Sequence, residues 1–218
     1  MSETPQRLLI IDDHPLFRRG VIQLIGEVPE FDVVGEASSG QEGIELAQQL
    51  DPDMILLDLN MKDMSGLEVL KVIKASGSDT RVVMLTVSDA ETDLVTCLRA
   101  GADGYLLKEM EPEDLIIKLQ EAASGRLPLT ERLTALLAHS LRAETQPRDP
   151  DEAGLTEQER RILDLIAAGK SNKLIARELD IAEGTVKVHV KHLLRKLNLR
   201  SRVEAAVWAI EQKRGVRG

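Results

Sequence analysis

Three aspartates that follow short apolar runs are the side chains best suited to chemistry: Asp12, Asp13 and Asp58. Carboxylate oxygens are the ligands that Mg²⁺ prefers, and this ion binds through one or two carboxylates while it keeps several waters. A bound cation would keep Asp58 ionised, and an ionised carboxylate can attack a phosphoryl group to give an aspartyl phosphate. The three aspartates therefore predict a cation-assisted phosphoryl acceptor.

Two further apolar runs end in side chains that suit phosphoryl oxygens. Thr86 follows Val82–Leu85, and Lys108 follows Tyr105–Leu107. A hydroxyl donates a hydrogen bond to such an oxygen, and an ammonium supplies a point positive charge. In open α/β sheets the carboxyl ends of the strands form the edge where ligands bind. We therefore expect all five side chains to meet at one edge of a sheet.

The elements that position these residues alternate along the first half of the chain. Met54–Leu57 is apolar throughout, as expected of a strand buried on both faces of a parallel sheet. Alternating strands and helices predict a doubly wound α/β domain with a five-stranded parallel sheet, although the sequence leaves the strand order open. Strands are predicted at 8–11, around 33–34 and at 54–57, 82–85 and 105–107, and helices at 16–27, 41–50, 66–75, 91–100 and 112–123.

The second half of the chain contains only helical patterns. A helix predicted at 130–142 is followed by a proline-containing stretch without apolar periodicity, which is typical of a linker. We therefore predict an α/β domain over 1–125, a linker helix and flexible linker over 126–153, and an all-α domain over 154–218. The helices of the last domain are predicted at 157–168, 172–179, 184–197 and 202–212.

Charge divides the chain in the same way. Residues 1–150 carry 14 basic and 27 acidic side chains, a balance of −13, whereas residues 151–218 carry 14 and 10, a balance of +4. A basic domain favours a nucleic-acid partner. No apolar run reaches the length of a membrane span, and the single cysteine, Cys97, fits a helical pattern as buried filler. We therefore expect a cytoplasmic protein that contains no membrane segment.

The predicted helix at 184–197 is apolar on one face and basic on the other. Val188, Lys191, His192 and Arg195 lie opposite the apolar stripe, with Lys187 on the flank of that face, an arrangement that suits the DNA major groove. A short helix at 172–179 and a brief turn precede it, which is helix-turn-helix spacing. RNA or protein contacts by these helices stay open as alternatives, as does a metal-dependent phosphatase activity of the first domain.

The first domain resembles the receiver domain of two-component response regulators over residues 7–124. The resemblance rests on Asp12, Asp13, Asp58, Thr86 and Lys108 at the strand ends. It implies Asp58 as the phospho-acceptor, a Mg²⁺ ion held by the three aspartates and the backbone carbonyl of Asn60, and switch or phosphate-binding roles for Thr86, Lys108 and Tyr105. Lys62 stands where this family often has proline.

The last domain resembles the LuxR-type DNA-binding domain over residues 154–211, on the motifs Leu155–Glu159, Gly169–Lys173 and Thr185–His189. This resemblance implies base contacts and DNA-backbone contacts by two sets of side chains. The base readers are Lys187, Val188 and Lys191, and the backbone contacts are Ser171, Asn172, Lys173 and Arg195.

Both domains in this order resemble the NarL/FixJ family, most closely through Asp58–Met61, Gly101–Lys108 and Ser201–Trp208. The resemblance implies a non-enzymatic transcription regulator that a sensor histidine kinase phosphorylates and that binds promoter DNA as a homodimer through Val203, Val207 and Ile210. It further implies a nitrate or nitrite signal, with a different signal as the alternative. From the charge division we hypothesise that the unphosphorylated receiver covers the basic helix.

Overall fold

The structure, a computed structural model, describes residues 5–78, 80–124, 153–199 and 201–215. The chain separates into two compact units, Met1–Ala123 and Ser124–Gly218. The predicted linker helix at 130–142 lies outside the described residues, as does nearly all of the predicted linker over 126–153. The predicted domain boundaries therefore stay predictions. Among the described residues, no helix is both long and apolar enough to cross a bilayer.

The first unit is a five-stranded parallel sheet with the order β2-β1-β3-β4-β5. This confirms the predicted fold class and supplies the strand order. The strands are β1 (Gln6–Ile11), β2 (Phe31–Ala37), β3 (Met54–Leu57), β4 (Arg81–Thr86) and β5 (Gly104–Leu107). The helices are α1 (Pro15–Gly26), α2 (Gly40–Leu50), α3 (Gly66–Ala75), α4 (Glu91–Arg99) and α5 (Pro112–Ala123).

The central strands are apolar because helices cover both faces of the sheet. Every residue of β3 is buried, and Leu8–Ile11 in β1 is equally enclosed. Cys97 on α4 is 1% exposed, which confirms its assignment as filler. Burial raises the pKa of its thiol to about 12, so the reactive thiolate hardly forms near neutral pH.

The second unit consists of helices in its described residues. They are α6 (Glu157–Ala167), α7 (Asn172–Leu179), α8 (Glu183–Leu197) and α9 (Arg202–Gly215). Asp180 and Asn198 adopt left-handed backbone conformations that end α7 and α8. The core draws on all four helices, and its large side chains include Ile162, Ile166, Ile175, Val186, Leu193, Leu197 and Trp208.

Candidate functional site

The first candidate site is an acidic pocket at the carboxyl edge of the sheet. Asp12 follows β1 and Asp58 follows β3, and these strands are neighbours. The pairing continues past the strands, because the backbone N–H of Asp58 donates to the carbonyl of Ile11 at 2.9 Å. Asp12 and Asp58 are only 3% and 2% exposed. The sheet therefore brings two buried carboxylates together, as the sequence predicted.

Lys108, immediately after β5, supplies the positive charge of the pocket. Its Nζ lies 2.7 Å from Asp12 Oδ2 and 2.8 Å from Asp58 Oδ2. The same ammonium sits 4.7 Å from the ring centroid of Phe17 on α1, within the range of a cation–π contact. One buried cation thus bridges two carboxylates that would otherwise repel each other.

Two buried carboxylate oxygens in the pocket are candidates for ligands of a cation. Among the described residues, no donor makes a hydrogen bond to the buried Asp13 Oδ1 or Asp58 Oδ2, although Lys108 Nζ is close to the latter. Buried oxygens of this kind are costly unless a partner satisfies them. Asp12, Asp13 and Asp58 therefore fit a hard divalent cation, with oxygen ligands converging from two strand ends.

Thr86, Asn60 and Tyr105 form a chain of contacts beside the pocket. Thr86 Oγ1 accepts from the Ser88 backbone N–H at 3.1 Å and lies 3.4 Å from Asn60 Nδ2. The Tyr105 hydroxyl donates to the Ser88 carbonyl at 2.9 Å. Burial raises the pKa of Tyr105, so this hydroxyl stays a proton donor. Ser88 thereby links the threonine and the tyrosine.

Arg18 on α1 contacts the pocket from outside and was not found from the sequence. Its Nη1 donates to the Asp12 carbonyl at 2.6 Å, and its Nε donates to Glu36 Oε2 on β2 at 2.7 Å. The Arg18 guanidinium therefore links the backbone of Asp12 to strand β2 through two hydrogen bonds. A lone arginine in an amphipathic helix carries no sequence signal for this role.

Gly66, the first residue of α3, was also missed. A Cβ at this position would lie 2.0 Å from the backbone oxygen of Asp58. The backbone N–H of Gly66 donates to the Leu59 carbonyl at 2.9 Å. The helix can therefore approach the loop after Asp58 this closely only because residue 66 has no side chain.

His14 occupies the N-cap position of α1, immediately before Pro15, but its side chain makes no capping hydrogen bond. The structure adds that its imidazole faces the pocket. Its Nδ1 lies 2.9 Å from Asp13 Oδ1, 3.3 Å from Asp12 Oδ1 and 3.6 Å from Asp58 Oδ2. A nitrogen donor therefore stands beside the three carboxylates.

The second candidate site is the outer face of α8. Val186, Leu193 and Leu197 are fully buried, while Val190 and Leu194 are partly buried, which confirms the predicted inward stripe. Val188 on the opposite face is 52% exposed. The basic side chains Lys187, Lys191 and Arg195 share that exposed face.

The residues predicted to contact the DNA backbone before α8 lie at the start of α7. Ser171 caps this helix by accepting a hydrogen bond from the Leu174 N–H at 3.3 Å. Asn172 is engaged within the unit, because its Oδ1 accepts from Arg202 Nη1 at 2.8 Å. Lys173 is exposed. Helix N-termini favour phosphate groups, and the contacts of these three residues with the DNA backbone stay predictions.

A buried ion pair holds α6 against α8. Glu159 is 3% exposed, and its Oε2 lies 2.7 Å from Lys196 Nζ. Burial alone would raise the pKa of Glu159, but the hydrogen bonds from Lys196 and Thr156 outweigh that effect and lower it. This pair fixes the end of α8 relative to the start of α6.

The predicted dimerisation residues lie on α9. Val203 and Val207 are 1% and 2% exposed within the chain, and Ile210 is partly exposed. Trp208 on the same helix belongs to the core of the second unit. The pairing of two copies through this helix stays a prediction.

Comparison with known proteins decides the family. The response regulator receiver domain family matches residues 8–120, and the luxR family of bacterial regulatory proteins matches residues 153–209. The chain is 56% identical over 212 residues to the nitrate/nitrite response regulator protein NarL of Escherichia coli (strain K12), covering 97% of this chain and 98% of that protein. The chain belongs to the NarL/FixJ family of response regulators.

Further relatives agree with membership of the NarL/FixJ family. The chain is 50% identical over 208 residues to a nitrate/nitrite response regulator protein homolog of Haemophilus influenzae, covering 95% of this chain and 98% of that protein. The crystal structure of the response regulator ChrA of a heme-sensing two-component system aligns over 97% of this chain and 99% of its own, with 29% identity and a TM-score of 0.52. As a NarL/FixJ-family protein, the chain is a phosphorylation-dependent transcription regulator with a receiver domain and a LuxR-type DNA-binding domain.

Proposed function

We propose that a sensor histidine kinase phosphorylates this regulator on Asp58 and that Mg²⁺ supports the transfer. The observation that carries the proposal is the unsatisfied, buried Asp58 Oδ2 beside Lys108 and two further carboxylates. In this reaction an Asp58 oxygen forms a P–O bond as the P–N bond of the donor phosphohistidine breaks. Asp12, Asp13, Asp58 and the carbonyl of Asn60 would hold the ion, which would offset the charge of the phosphoryl oxygens.

Phosphate uptake from a small phosphodonor tests the acceptor. Asp58→Asn should abolish uptake, because the amide cannot act as the nucleophile, whereas Asp89→Asn, an exposed aspartate nearby, should label normally. Mass spectrometry of labelled wild-type protein should place the phosphoryl group on Asp58. Labelling that survives Asp58→Asn would move the acceptor to another residue.

The proposed switch joins Thr86 and Lys108 to Tyr105. A phosphoryl group adds a charge of about −1.5 to −2, which attracts the Thr86 hydroxyl and the Lys108 ammonium. Thr86 and Tyr105 both bond to Ser88, so a shift of the hydroxyl toward the phosphoryl group would disturb the contact of the tyrosine. The change at Asp58 would thereby reach the loop between β4 and α4.

For the output we propose that α8 enters the major groove of promoter DNA. Lys187, Val188 and Lys191 would read bases, while Ser171, Asn172, Lys173 and Arg195 would contact the DNA backbone. The exposed basic face of α8 supports this assignment. Lys191→Ala should relax sequence preference, whereas Lys173→Ala should weaken binding to all duplexes alike and make it less dependent on salt. An unchanged preference would exclude Lys191 as a base reader.

We propose that phosphorylation frees this helix and permits a homodimer through Val203, Val207 and Ile210. The balance of −13 in residues 1–150 and +4 in residues 151–218 favours masking of the basic helix before phosphorylation. Residues 150–218 alone should therefore bind DNA more tightly than the intact unphosphorylated chain. Equal affinity would rule out masking.

Nitrate or nitrite is the signal that we propose, because relatives at 56% and 50% identity carry that response in their names. In the source organism, loss of the gene should remove nitrate-dependent changes in transcription, and expression of Asp58→Asn should not restore them. A response to nitrate that persists without the gene would favour the alternative, a regulator of the same architecture that answers another signal.

A further inference from the structure

We propose that His14 is a nitrogen ligand of the acidic pocket, which raises the affinity of the pocket for divalent transition cations such as Mn²⁺ or Co²⁺ relative to Mg²⁺. The inference rests on the cation site proposed above and adds a ligand to it. It concerns the chemical class of cation that the pocket accepts. Asp12, Asp13 and Asp58 supply oxygen ligands only, whereas an imidazole suits transition metals.

The position of the imidazole is not explained by the helix that His14 precedes. In the described first turn of α1, the side chain makes no capping hydrogen bond. The backbone N–H of His14 donates instead to Asp12 Oδ1 at 2.8 Å, which fixes the residue beside the pocket. The ring is therefore held near the carboxylates by its own backbone while its side chain has no structural task in the helix.

The spacing of the donor atoms matches the coordination sphere of one small cation. Adjacent ligands of an octahedral ion with bonds of about 2.0–2.1 Å lie roughly 3 Å apart. His14 Nδ1 is 2.9 Å from Asp13 Oδ1 and 3.3 Å from Asp12 Oδ1. It is 3.6 Å from Asp58 Oδ2, still within the range of two ligands that share an ion.

The close approach of His14 to Asp13 is not a hydrogen bond. Asp13 Oδ1 is buried and, among the described residues, has no hydrogen-bond donor, even though Nδ1 lies 2.9 Å away. A cation between the two groups would be in reach of both the nitrogen and the carboxylate oxygen. The Asp13 side chain is 9% exposed, whereas the His14 side chain is 60% exposed, so bulk water reaches the carboxylate poorly but reaches the ring. A bound cation would therefore satisfy the buried Asp13 oxygen and take the accessible imidazole as a further ligand.

Charge agrees with a divalent ion. Asp12, Asp13 and Asp58 contribute three negative charges, and the Lys108 ammonium neutralises one of them. Two negative charges remain for the ion to balance. A neutral imidazole adds a ligand without changing this balance, so His14 affects which metal binds more than whether one binds.

The test uses the full chain and compares His14→Ala with His192→Ala, an exposed histidine on α8. Mg²⁺ and Co²⁺ affinities are measured by calorimetry. His14→Ala should lower Co²⁺ affinity by at least about tenfold, since even the outer partners of metal ligands contribute that much. Mg²⁺ affinity should change less than about twofold, because this ion favours oxygen ligands. His192→Ala should leave both affinities unchanged.

Pulsed EPR on Mn²⁺ bound to the protein supplies a second result, and its wild-type spectrum is informative without any variant. A nitrogen coupling should be present and should disappear in His14→Ala. Mn²⁺ without that coupling, or equal Co²⁺ affinity in wild type and His14→Ala, would overturn the role of His14 and leave the Mg²⁺ site standing. Wild-type protein that binds neither Mg²⁺ nor Co²⁺ would refute the cation site of the proposed function itself.

Discussion

Replacement of Gly66 by alanine should damage the pocket without touching a pocket side chain. The new Cβ would lie 2.0 Å from the Asp58 carbonyl oxygen and 2.9 Å from Leu59 Cα. Real Cβ atoms do not approach other atoms within 3.0 Å, so helix and loop must separate by at least 1 Å. The backbone of Asp58 resists this movement, because its N–H is bonded to the carbonyl of Ile11.

Two effects of Gly66→Ala can be estimated. Overpacking of a rigid site destabilises a fold by about 3 kcal/mol, and a 1 Å displacement of a reacting group slows a reaction by about 100-fold. Urea unfolding followed by circular dichroism measures the first effect. Trp208, the single tryptophan, reports separately on the second unit and should be unaffected. Uptake from a small phosphodonor measures the second effect.

Gly20→Ala is the matched control. Gly20 lies inside α1, and a Cβ there would meet nothing within 4 Å. Alanine should therefore stabilise the helix by about 0.5–1 kcal/mol and leave phosphorylation unchanged. Glycine-to-alanine substitution should therefore raise the free energy of unfolding at position 20 and lower it at position 66. If Gly66→Ala were as stable as wild type and took up phosphate at the normal rate, close backbone packing would not position Asp58.

Three further predictions concern residues outside the pocket. Arg18→Gln should weaken Mg²⁺ binding severalfold in calorimetry, because it loosens the backbone of Asp12; an unchanged affinity would argue against that role. Lys196→Met should destabilise the second unit by about 1–3 kcal/mol at neutral pH by leaving a buried carboxylate short of a partner. The lowered pKa of Glu159 stabilises the fold above the unfolded pKa near 4.5, and this contribution is lost as pH falls through the folded pKa. The free energy of unfolding, followed by Trp208 fluorescence in urea at several pH values, should therefore fall less steeply toward acid pH in Lys196→Met than in the wild type. Parallel pH curves would show that the Glu159–Lys196 pair does not contribute. Ser65→Ala should destabilise the first unit by about 1 kcal/mol in urea by removing the capping box of α3, and no change would show that the cap is not needed.

The chemistry of the pocket was readable from the sequence because each residue follows an apolar run. In parallel sheets, side chains after strand ends share one edge, so Asp12, Asp58, Thr86 and Lys108 could be brought together before any coordinates. The strand order could not, since β-α-β alternation is the same for several doubly wound orders. The order found here makes β1 and β3 neighbours and so brings Asp12 and Asp58 together.

The sequence did not predict the roles of residues that contact the backbone of the pocket. Arg18 binds a carbonyl and Gly66 makes room for one, and neither function requires a particular pattern of neighbours.

The sequence by itself determined the order of strands and helices, the acidic and basic halves, and the residue types at each strand end, because these depend on local periodicity and composition. The tertiary structure alone decided which strands are neighbours, which carboxylate oxygens are left without a hydrogen bond, and where the His14 imidazole points. Those properties depend on the distances between residues that are far apart in the chain. Packing sets these distances, and a local sequence pattern contains no information about them.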